Sequence, residues 1–269
     1  MEGLGFIGAG NMGEAMIRGV ISAKLRQADR VVVYDTAEGR SETLRQRFGV
    51  TAASSVEELL SLCDVVVVAV KPQLLPGVFE RIPNGAARNK TFISVVAGVK
   101  AVVFERALGE GVKVVRTMPN TPAQVGMGST GVFFGADVDA ATRELVLAIF
   151  SSFGVVAEMP REELLDAVTA LSGSGPAYAF MFVEALADAA VRIGMGREEA
   201  YQLAASMLEG SARMIRETGK HPAELKDMVM SPGGTTAAGV EALERGAFRA
   251  TVMDAVLAAW RRCRELGGQ

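Results

Sequence analysis

The residues best placed to do chemistry are glycines and hydroxyls that stand just before predicted helices. Near the start of the chain, GFIGAGNMG places Gly8, Gly10 and Gly13 in GxGxxG spacing. The first glycine permits a tight turn, the second lets the backbone approach a pyrophosphate, and the third lets a helix pack closely on a strand. The free N–H groups at the start of that helix favour phosphate. The pattern therefore predicts a dinucleotide-binding loop; the alternative is a turn that is merely rich in glycine.

An acidic residue ends the second predicted strand, RVVVYD, where the adenine ribose of a dinucleotide would lie. There, Asp35 can accept hydrogen bonds from both ribose hydroxyls and disfavours a 2′-phosphate, which indicates NAD(H). Arg40, five residues later, could instead reach a 2′-phosphate, or it could be a solvated helix charge. The choice between NADH and NADPH stays open on the sequence.

Three further stretches should emerge at the same edge of the predicted sheet. AVKPQ and VVAG follow core strands, and RTMPNTP is a turn held by its prolines. We expect Lys71 to contact the cofactor through its backbone and stem; the alternatives are proton donation and a surface lysine. Asn120 could reach the nicotinamide carboxamide or could satisfy its own turn.

Two small-residue loops also stand before helices in the second half. LSGSGP carries Ser172 and Ser174 before Pro176, a residue favoured in a first helical turn, and SPGGTT spans residues 231–236. Each loop could present backbone N–H groups to an anion, most simply a carboxylate. One such loop is commonly only a helix cap. Two of them, in a chain that also binds a dinucleotide, indicate a small acidic substrate.

The composition excludes several classes of function. The 269 residues carry a formal net charge of −3 and are 6% aromatic, so we expect no nucleic-acid partner. The single histidine, His221, and the lack of a GxSxG motif argue against triad hydrolysis and against a two-histidine metal site, so we expect no metal. Cys63 and Cys263 share no CxxC spacing and indicate reduced thiols in a cytoplasmic protein. We expect no secretory signal and, because Glu184 and Asp188 interrupt the most apolar helix, no membrane span.

The elements that must position these residues change character near residue 160. Before it, strands such as DVVVVAV alternate with helical stretches, which predicts a parallel sheet with helices on both faces. After it, five stretches have helical periodicity and none resembles a strand. We therefore predict an α/β protein with a Rossmann-like dinucleotide-binding domain over residues 1–160 and an all-α domain for dimerisation and substrate binding over 161–269.

One predicted helix, residues 176–193, is apolar over most of its circumference. Its charged residues Glu184, Asp188 and Arg192 form a single stripe at i, i+4 and i+8. Such a helix must be buried on several sides, and about 110 residues of helices can hardly cover it alone. We expect obligate dimerisation through this half; the alternative is a central helix in a monomeric bundle.

Over essentially its whole length the chain resembles the pyrroline-5-carboxylate reductase family. The resemblance rests on SGSGPAYAFMFVEALADAAVRIGM and HPAELKDMVMSPGGTTAAGVEALERGAFRA, with GFIGAGNMG, AVKPQ, VVAGV and RTMPNTPA in the same order. It implies an oxidoreductase that uses NADPH or NADH to reduce the C=N bond of 1-pyrroline-5-carboxylate to L-proline, the last step of proline biosynthesis. It also implies homodimers with interlocked helical halves, often assembled into decamers, and an active site that includes helices of the partner. Many relatives carry small or basic residues where this chain has Asp35, and those relatives prefer NADPH.

The resemblance also implies roles for individual residues. Three segments match cofactor contacts, and with the two residues argued above the expected cofactor-binding set is Ile7, Gly8, Ala9, Gly10, Asn11, Met12, Asp35, Ala69, Val70, Lys71, Pro72, Val96, Ala97, Gly98 and Asn120. The expected substrate-binding set is Ser174, Ser231, Gly233, Gly234, Thr235 and Thr236.

Thr236 is the expected catalytic residue, with a hydroxyl that can donate to or accept from the ring nitrogen of the imine. An N-cap of the following helix is its alternative or additional role. No strong protein acid is needed, since a protonated iminium is already electrophilic. Two other functions stay open at this point, namely a reductase for a different imino or 2-keto acid, and a dinucleotide sensor without activity.

Overall fold

The computed structural model describes residues 3–267 and divides the chain into two compact units. The first unit contains the chain up to Ser174 and the residues from Ala259 onward, and the second is Gly175–Ala258.

The first unit is built on one eight-stranded sheet. Its strands are β1 (Gly3–Ile7), β2 (Val31–Tyr34), β3 (Thr51–Ala52), β4 (Cys63–Val68), β5 (Thr91–Ser94), β6 (Lys113–Met118), β7 (Gly128–Phe134) and β8 (Gly154–Glu158). They lie in the order β3-β2-β1-β4-β5-β6-β7-β8, and every neighbouring pair is parallel except β6 and β7. The strand order reverses between β1 and β4, because β2 and β3 follow on one side of β1 and β4 and β5 on the other. Such sheets bind dinucleotides at this position. The Rossmann-like prediction is confirmed; β3, with two residues, and β8, with a largely exposed pattern, were not predicted.

Helices cover both faces of this sheet. They are α1 (Asn11–Ser22), α2 (Arg40–Phe48), α3 (Val56–Leu62), α4 (Leu75–Phe79), α5 (Ala101–Leu108), α6 (Ala140–Ser151) and α7 (Leu164–Val168). Alternate strand residues feed two separate cores, one with Phe6 and Ile93 against α1, α2 and α6, the other with Phe92 against α3, α4 and α5. Each such fully buried side chain contributes about 1.5–3 kcal/mol by leaving water. This two-sided burial explains the continuous valine runs of the strands.

The boundary between the two compact units follows Ser174, whereas the sequence predicts a domain boundary at residue 160. The segment 161–174 belongs to the first unit because it packs on the sheet: a Cβ on Gly131 of β7 would lie 2.7 Å from Val168 and 3.2 Å from Leu165 of α7. Arg116 of β6, which is buried, also pairs with Glu162 at 3.1 Å. The change from strands to helices therefore precedes the division into compact units by about fourteen residues.

The second unit is entirely helical, as predicted. It contains α8 (Gly175–Arg192), α9 (Arg197–Thr218), α10 (Pro222–Met228), α11 (Thr235–Arg245) and the residues before Ala259 of α12 (Phe248–Leu266). The short α10 was not predicted; it begins after His221, whose Nδ1 accepts a hydrogen bond from Ala223 N at 3.2 Å. No helix within residues 3–267 has the length and apolarity that crossing a bilayer would require.

The helices of the second unit leave large apolar side chains uncovered. In α8, which the structure describes in full, only Ala187 is buried, while Phe180 and Met181 are each 68% exposed. Phe182 makes one ring contact, with Phe248 at a centroid distance of 6.0 Å. The helix is therefore not a buried central helix within the chain, and dimerisation through this half stays a prediction. Further exposed apolar residues of the unit are Ile193, Met195, Tyr201, Leu203, Met207, Met214, Ile215, Met228, Val229, Leu243, Phe248, Val252, Met253 and Leu257.

We predict that charges on α8 break self-association. The double substitution Phe180→Glu/Met181→Glu should yield single chains where the unchanged protein sediments as a multiple of one chain, because the desolvated face would have to bury two carboxylates. Sedimentation velocity measures the difference. The matched control is Val102→Glu/Val103→Glu, two neighbouring residues of α5 that are 39% and 42% exposed. Equal sedimentation of the α8 variant and the control would contradict the prediction.

Candidate active site

The carboxyl ends of neighbouring parallel strands bring the predicted cofactor segments to one edge. Ile7, the last residue of β1, is level with Tyr34 on one side and with Val68 on the other, and Val68 is level with Ser94 of β5. Gly8 N donates to Tyr34 O at 2.9 Å, and Ala69 N donates to Ile7 O at 2.8 Å. Consequently the turns that follow these strands start side by side. They contain residues 8–12, 35, 69–72 and 96–98.

The three glycines of the first turn differ in their structural roles. Gly8 has φ +96°, and a Cβ there would lie 2.5 Å from Ala69 O. A Cβ on Gly13 would lie 2.5 Å from Gly8 O, so Gly13 sets how closely α1 packs on β1. A Cβ on Gly10, by contrast, would meet nothing within 4 Å. Gly8 and Gly13 are therefore required by the fold, whereas Gly10 keeps open space above its backbone.

That open space lies at the start of α1, where backbone donors are free. Gly10 is the N-cap without a side-chain cap, and the first helical hydrogen bond runs from Glu14 N to Gly10 O at 2.9 Å. The earlier N–H groups of the helix have no intrahelical acceptor. An uncapped helix start beside an exposed glycine fits a pyrophosphate, because it offers donors and positive potential without steric hindrance.

Charged side chains fix the peptide groups of Ala9 in this turn. Asp35 Oδ2 accepts a hydrogen bond from Ala9 N at 2.6 Å, and Arg40 Nε donates to Ala9 O at 2.6 Å. Arg40 also pairs with Glu14, which pairs with Arg47 at 2.6 Å. Burial would raise the pKa of the Glu14 carboxyl, but the hydrogen bonds and charges of Arg40 and Arg47 outweigh it and hold that pKa below its usual range.

The structure therefore corrects one of the two interpretations of Arg40. Its side chain is 27% exposed and bound on two sides, so the alternative of a solvated helix charge is wrong. Glu14 is a member of this cluster that the sequence reasoning missed. The available signal was an acidic residue in the first turn of the predicted helix, opposite a second helix rich in arginine.

The two following turns carry the remaining cofactor candidates. Lys71 is exposed, and its carbonyl accepts a hydrogen bond from Leu74 N at 2.9 Å in a short 3-10 turn over Pro72–Leu74. In the next turn, Val96 N donates to Ser94 Oγ at 3.2 Å, and Gly98 has φ +73°. Neighbouring Val70 and Ala97 are partly exposed at the same edge. The backbone, rather than charged side chains, dominates this part of the edge.

Asn120 lies after β6 and is buried. Its Nδ2 donates to Ser172 O at 3.0 Å, and its Oδ1 accepts from Ser129 N at 2.8 Å, so the amide joins β7 to the segment before α8. One Nδ2–H remains for another partner. A contact of Asn120 with nicotinamide stays a prediction.

The segment around Ser174 is not the loop that its glycines predict. Thr169–Gly173 forms a π-helical turn that continues from α7. Ser172 Oγ donates to Val168 O at 3.1 Å, and Ser174 Oγ donates to Thr169 O at 3.2 Å. The loop prediction is wrong because these hydroxyls bond back to the preceding turn and keep the chain coiled. Ser174 as a substrate contact remains a prediction.

The SPGGTT segment does form a tight turn before a helix, within the second unit. Gly234 N donates to Ser231 O at 3.0 Å, and Gly233 has φ +68°. Ser231 Oγ occupies the space that a Cβ on Gly234 would need. Gly234 is the N-cap of α11, with no side-chain cap, so Thr236 stands inside the first turn and its N-cap alternative is wrong.

Comparisons with known proteins identify both halves of the chain. The family domain described as pyrroline-5-carboxylate reductase dimerisation matches residues 162–266, and the domain described as NADP oxidoreductase, coenzyme F420-dependent, matches residues 3–98. The pyrroline-5-carboxylate reductase of Escherichia coli is 44% identical over 94% of each chain, and that of Methanosarcina acetivorans is 42% identical over 98% of this chain and 97% of its own.

Solved structures agree in fold over the full chain. The pyrroline-5-carboxylate reductase of Coxiella burnetii superposes with a TM-score of 0.91 at 33% identity, covering 98% of both chains. The Plasmodium falciparum pyrroline carboxylate reductase, solved with NADP bound, gives 0.88 at 35% identity and covers 99% of this chain and 98% of its own. One unit has a sheet edge that fits a dinucleotide, the other has the uncapped helix start after SPGGTT, and the similarity to these relatives extends over both units. The chain belongs to the pyrroline-5-carboxylate reductase family.

Proposed function

We propose that this chain reduces the C=N bond of 1-pyrroline-5-carboxylate to give L-proline, the last step of proline biosynthesis. It is an NAD(P)H-dependent oxidoreductase, in agreement with the activity named for its relatives. The observation that carries the substrate assignment is the SPGGTT turn, whose glycines and uncapped helix start offer backbone donors next to the hydroxyls of Ser231 and Thr236.

The bound cofactor, NADPH or NADH, supplies the hydride. The start of α1 binds its pyrophosphate through the free N–H groups after Gly10. Asp35 binds the adenine ribose, and the turns after β4 and β5 position the nicotinamide half through backbone atoms. The proposed cofactor-binding residues are those predicted from the sequence, namely residues 7–12, 35, 69–72, 96–98 and 120.

The substrate is held by its carboxylate and its ring nitrogen. Backbone N–H groups at Thr235 and Thr236, together with the Ser231 hydroxyl, bind the carboxylate at the positive end of α11, while the Gly234 N–H holds the turn through Ser231 O. The Thr236 hydroxyl makes a hydrogen bond to the ring nitrogen. Because the protonated iminium already accepts hydride readily, the protein contributes mainly orientation of two bound molecules. Ser174 is proposed to complete the substrate site.

The proposal extends to assembly and location. Residues 161–269 act as the dimerisation and substrate domain and 1–160 as the dinucleotide domain. Dimers form through the uncovered apolar faces of the helices and assemble further into decamers in the cytoplasm, without a nucleic-acid partner. The exposed aromatic and methionine side chains of α8 and α9 support the dimer, since a lone chain would leave them in water.

The reaction itself is tested by following NADH or NADPH oxidation at 340 nm with and without 1-pyrroline-5-carboxylate. We expect oxidation that depends on the imine and forms L-proline in equal amount. Other cyclic imines and 2-keto acids serve as comparison substrates. Faster turnover of one of them would contradict the substrate assignment, and cofactor binding without any turnover would favour a sensor.

Two glycine substitutions should separate a cofactor contact from a packing constraint. Gly10→Ala should weaken NADH and NADPH binding about tenfold or more while changing the free energy of unfolding by less than about 1 kcal/mol, because its Cβ enters open space. Gly13→Ala should cost about 1–3 kcal/mol in unfolding, because its Cβ would press on Gly8 O. Cofactor titration and urea unfolding measure both quantities. Equal effects of the two variants would argue against the assignment of Gly10.

Loss of the Thr236 hydroxyl should reduce catalysis selectively. Thr236→Ala is expected to lower kcat/KM by roughly 10- to 100-fold, as for a lost hydrogen bond to a charged group, while Thr236→Ser keeps most of the activity. Steady-state kinetics with 1-pyrroline-5-carboxylate measure the effect. The control is Thr251→Ala on α12, where the hydroxyl bonds only to Ala247 O at 3.2 Å. Full activity of Thr236→Ala would exclude Thr236 from the reaction.

A further inference from the structure

We propose that this chain selects NADH over NADPH, through a carboxylate held rigidly at the ribose position and through the diversion of the nearby arginines into internal pairs. The inference rests on the proposed function, since it takes the cleft beside Asp35 as the ribose end of the cofactor site. It goes beyond the general NAD(P)H assignment by naming the residues that discriminate.

The Asp35 carboxylate is fixed by two backbone donors. Its Oδ2 accepts from Ala9 N at 2.6 Å, and its Oδ1 accepts from Ala37 N at 2.8 Å. Its own N–H donates to Ser41 Oγ at 3.1 Å, which ties it to the first turn of α2. A carboxylate can accept about four hydrogen bonds, so both oxygens keep acceptor capacity for ribose hydroxyls. Asp35 therefore cannot swing away to make room for another anion without breaking these bonds.

Asp35 lines a cleft of about 330 Å³ with an acidic wall. Glu38 and Glu42 add two more carboxylates to the lining, and neither lysine nor arginine is among its residues. Ser41 and Ser54 supply the hydroxyls. The other lining residues are Tyr34, Thr36, Ala37, Gly39, Ala52 and Ala53.

The arginines on the surrounding elements are engaged by groups of the protein, two of them by Glu42 and Tyr34 of the cleft lining. Arg40 bonds to Ala9 O and Glu14, and Arg47 pairs with the other oxygen of Glu14 at 2.6 Å. Arg45 makes two 2.7 Å hydrogen bonds to Glu42, and Arg81 donates to the Tyr34 hydroxyl at 3.2 Å. Glu14 thus holds Arg40 and Arg47 of α2 next to the glycine loop at residues 8–13.

This charge pattern treats the two cofactors differently. The 2′-hydroxyl of NADH can donate to Asp35, whereas the 2′-phosphate of NADPH carries close to two negative charges and has no such donor. At a few ångströms, repulsion between a phosphate and a fixed carboxylate is substantial even near the surface. The start of α2 acts in the opposite direction, but it offers only about half a unit charge against Asp35 and Glu38, while the charge of Glu42 is paired with Arg45.

Equilibrium binding to the whole enzyme tests the proposal without relying on turnover. NADH and NADPH are titrated while the fluorescence of their nicotinamide rings is followed. We expect NADH to bind at least about tenfold more tightly than NADPH. Asp35→Asn, which keeps the size of the side chain, should shift the ratio of dissociation constants towards NADPH about tenfold. The control is Asp29→Asn, an exposed carboxylate at the opposite end of β2 with the same change in net charge.

A second variant tests the role given to Arg40. If Arg40 serves the loop through Ala9 and Glu14, Arg40→Met weakens NADH and NADPH binding by the same factor. A loss confined to NADPH would overturn the proposal, because it would show that Arg40 reaches the 2′-phosphate. Tighter binding of NADPH than NADH to the unchanged enzyme, or an unchanged ratio in Asp35→Asn, would also overturn it.

Failure of the function itself gives a different result. An enzyme that prefers NADPH yet reduces 1-pyrroline-5-carboxylate contradicts only the cofactor selection. An enzyme that binds NADH more tightly in the expected manner but leaves the imine unreduced supports the selection and contradicts the proposed function.

Discussion

The central constraint in the first unit is the level ending of three parallel strands. β1 lies between β2 and β4, and Ile7 is in register with both Tyr34 and Val68. Because the strands end together, the chain must turn three times within a small area, and only compact backbone fits there. Gly8 and Gly13 satisfy that demand, one with a left-handed φ and the other with close contact between helix and strand. Gly10 then remains free for a ligand.

The same crowding explains why charged residues hold the cofactor loop. Ala9 has both its N–H and its carbonyl bonded to side chains of the next βα turn, Asp35 and Arg40. Buried polar backbone needs partners, and no strand continues at this point to supply them. Asp35, which is proposed to bind the ribose of the cofactor, is therefore also a structural group. One local network determines both loop geometry and the charge that a cofactor meets.

The second unit differs from the first in how little apolar surface it buries. Its helices are regular but bury little apolar surface within the chain, as Phe180 and Met181 illustrate. The turn before α11 has a positive φ at Gly233, and it contains the residues proposed to bind the substrate. The proposed substrate turn thus belongs to a helical unit with many exposed apolar side chains, and we expect association to stabilise that unit.

The sequence by itself determined the fold class, the sheet strands with valine runs, the glycine loop and the helical second half. These features are local, because alternation, apolar periodicity and glycine spacing are properties of neighbouring residues. Only the tertiary structure decided what depends on distant partners. It turned the predicted loop at Ser172–Ser174 into a π-helical turn, joined Asn120 to that turn, and placed segment 161–174 on the sheet. It also bound Arg40 to Glu14 and Ala9, residues at least 26 positions away, which no periodicity in one sequence encodes.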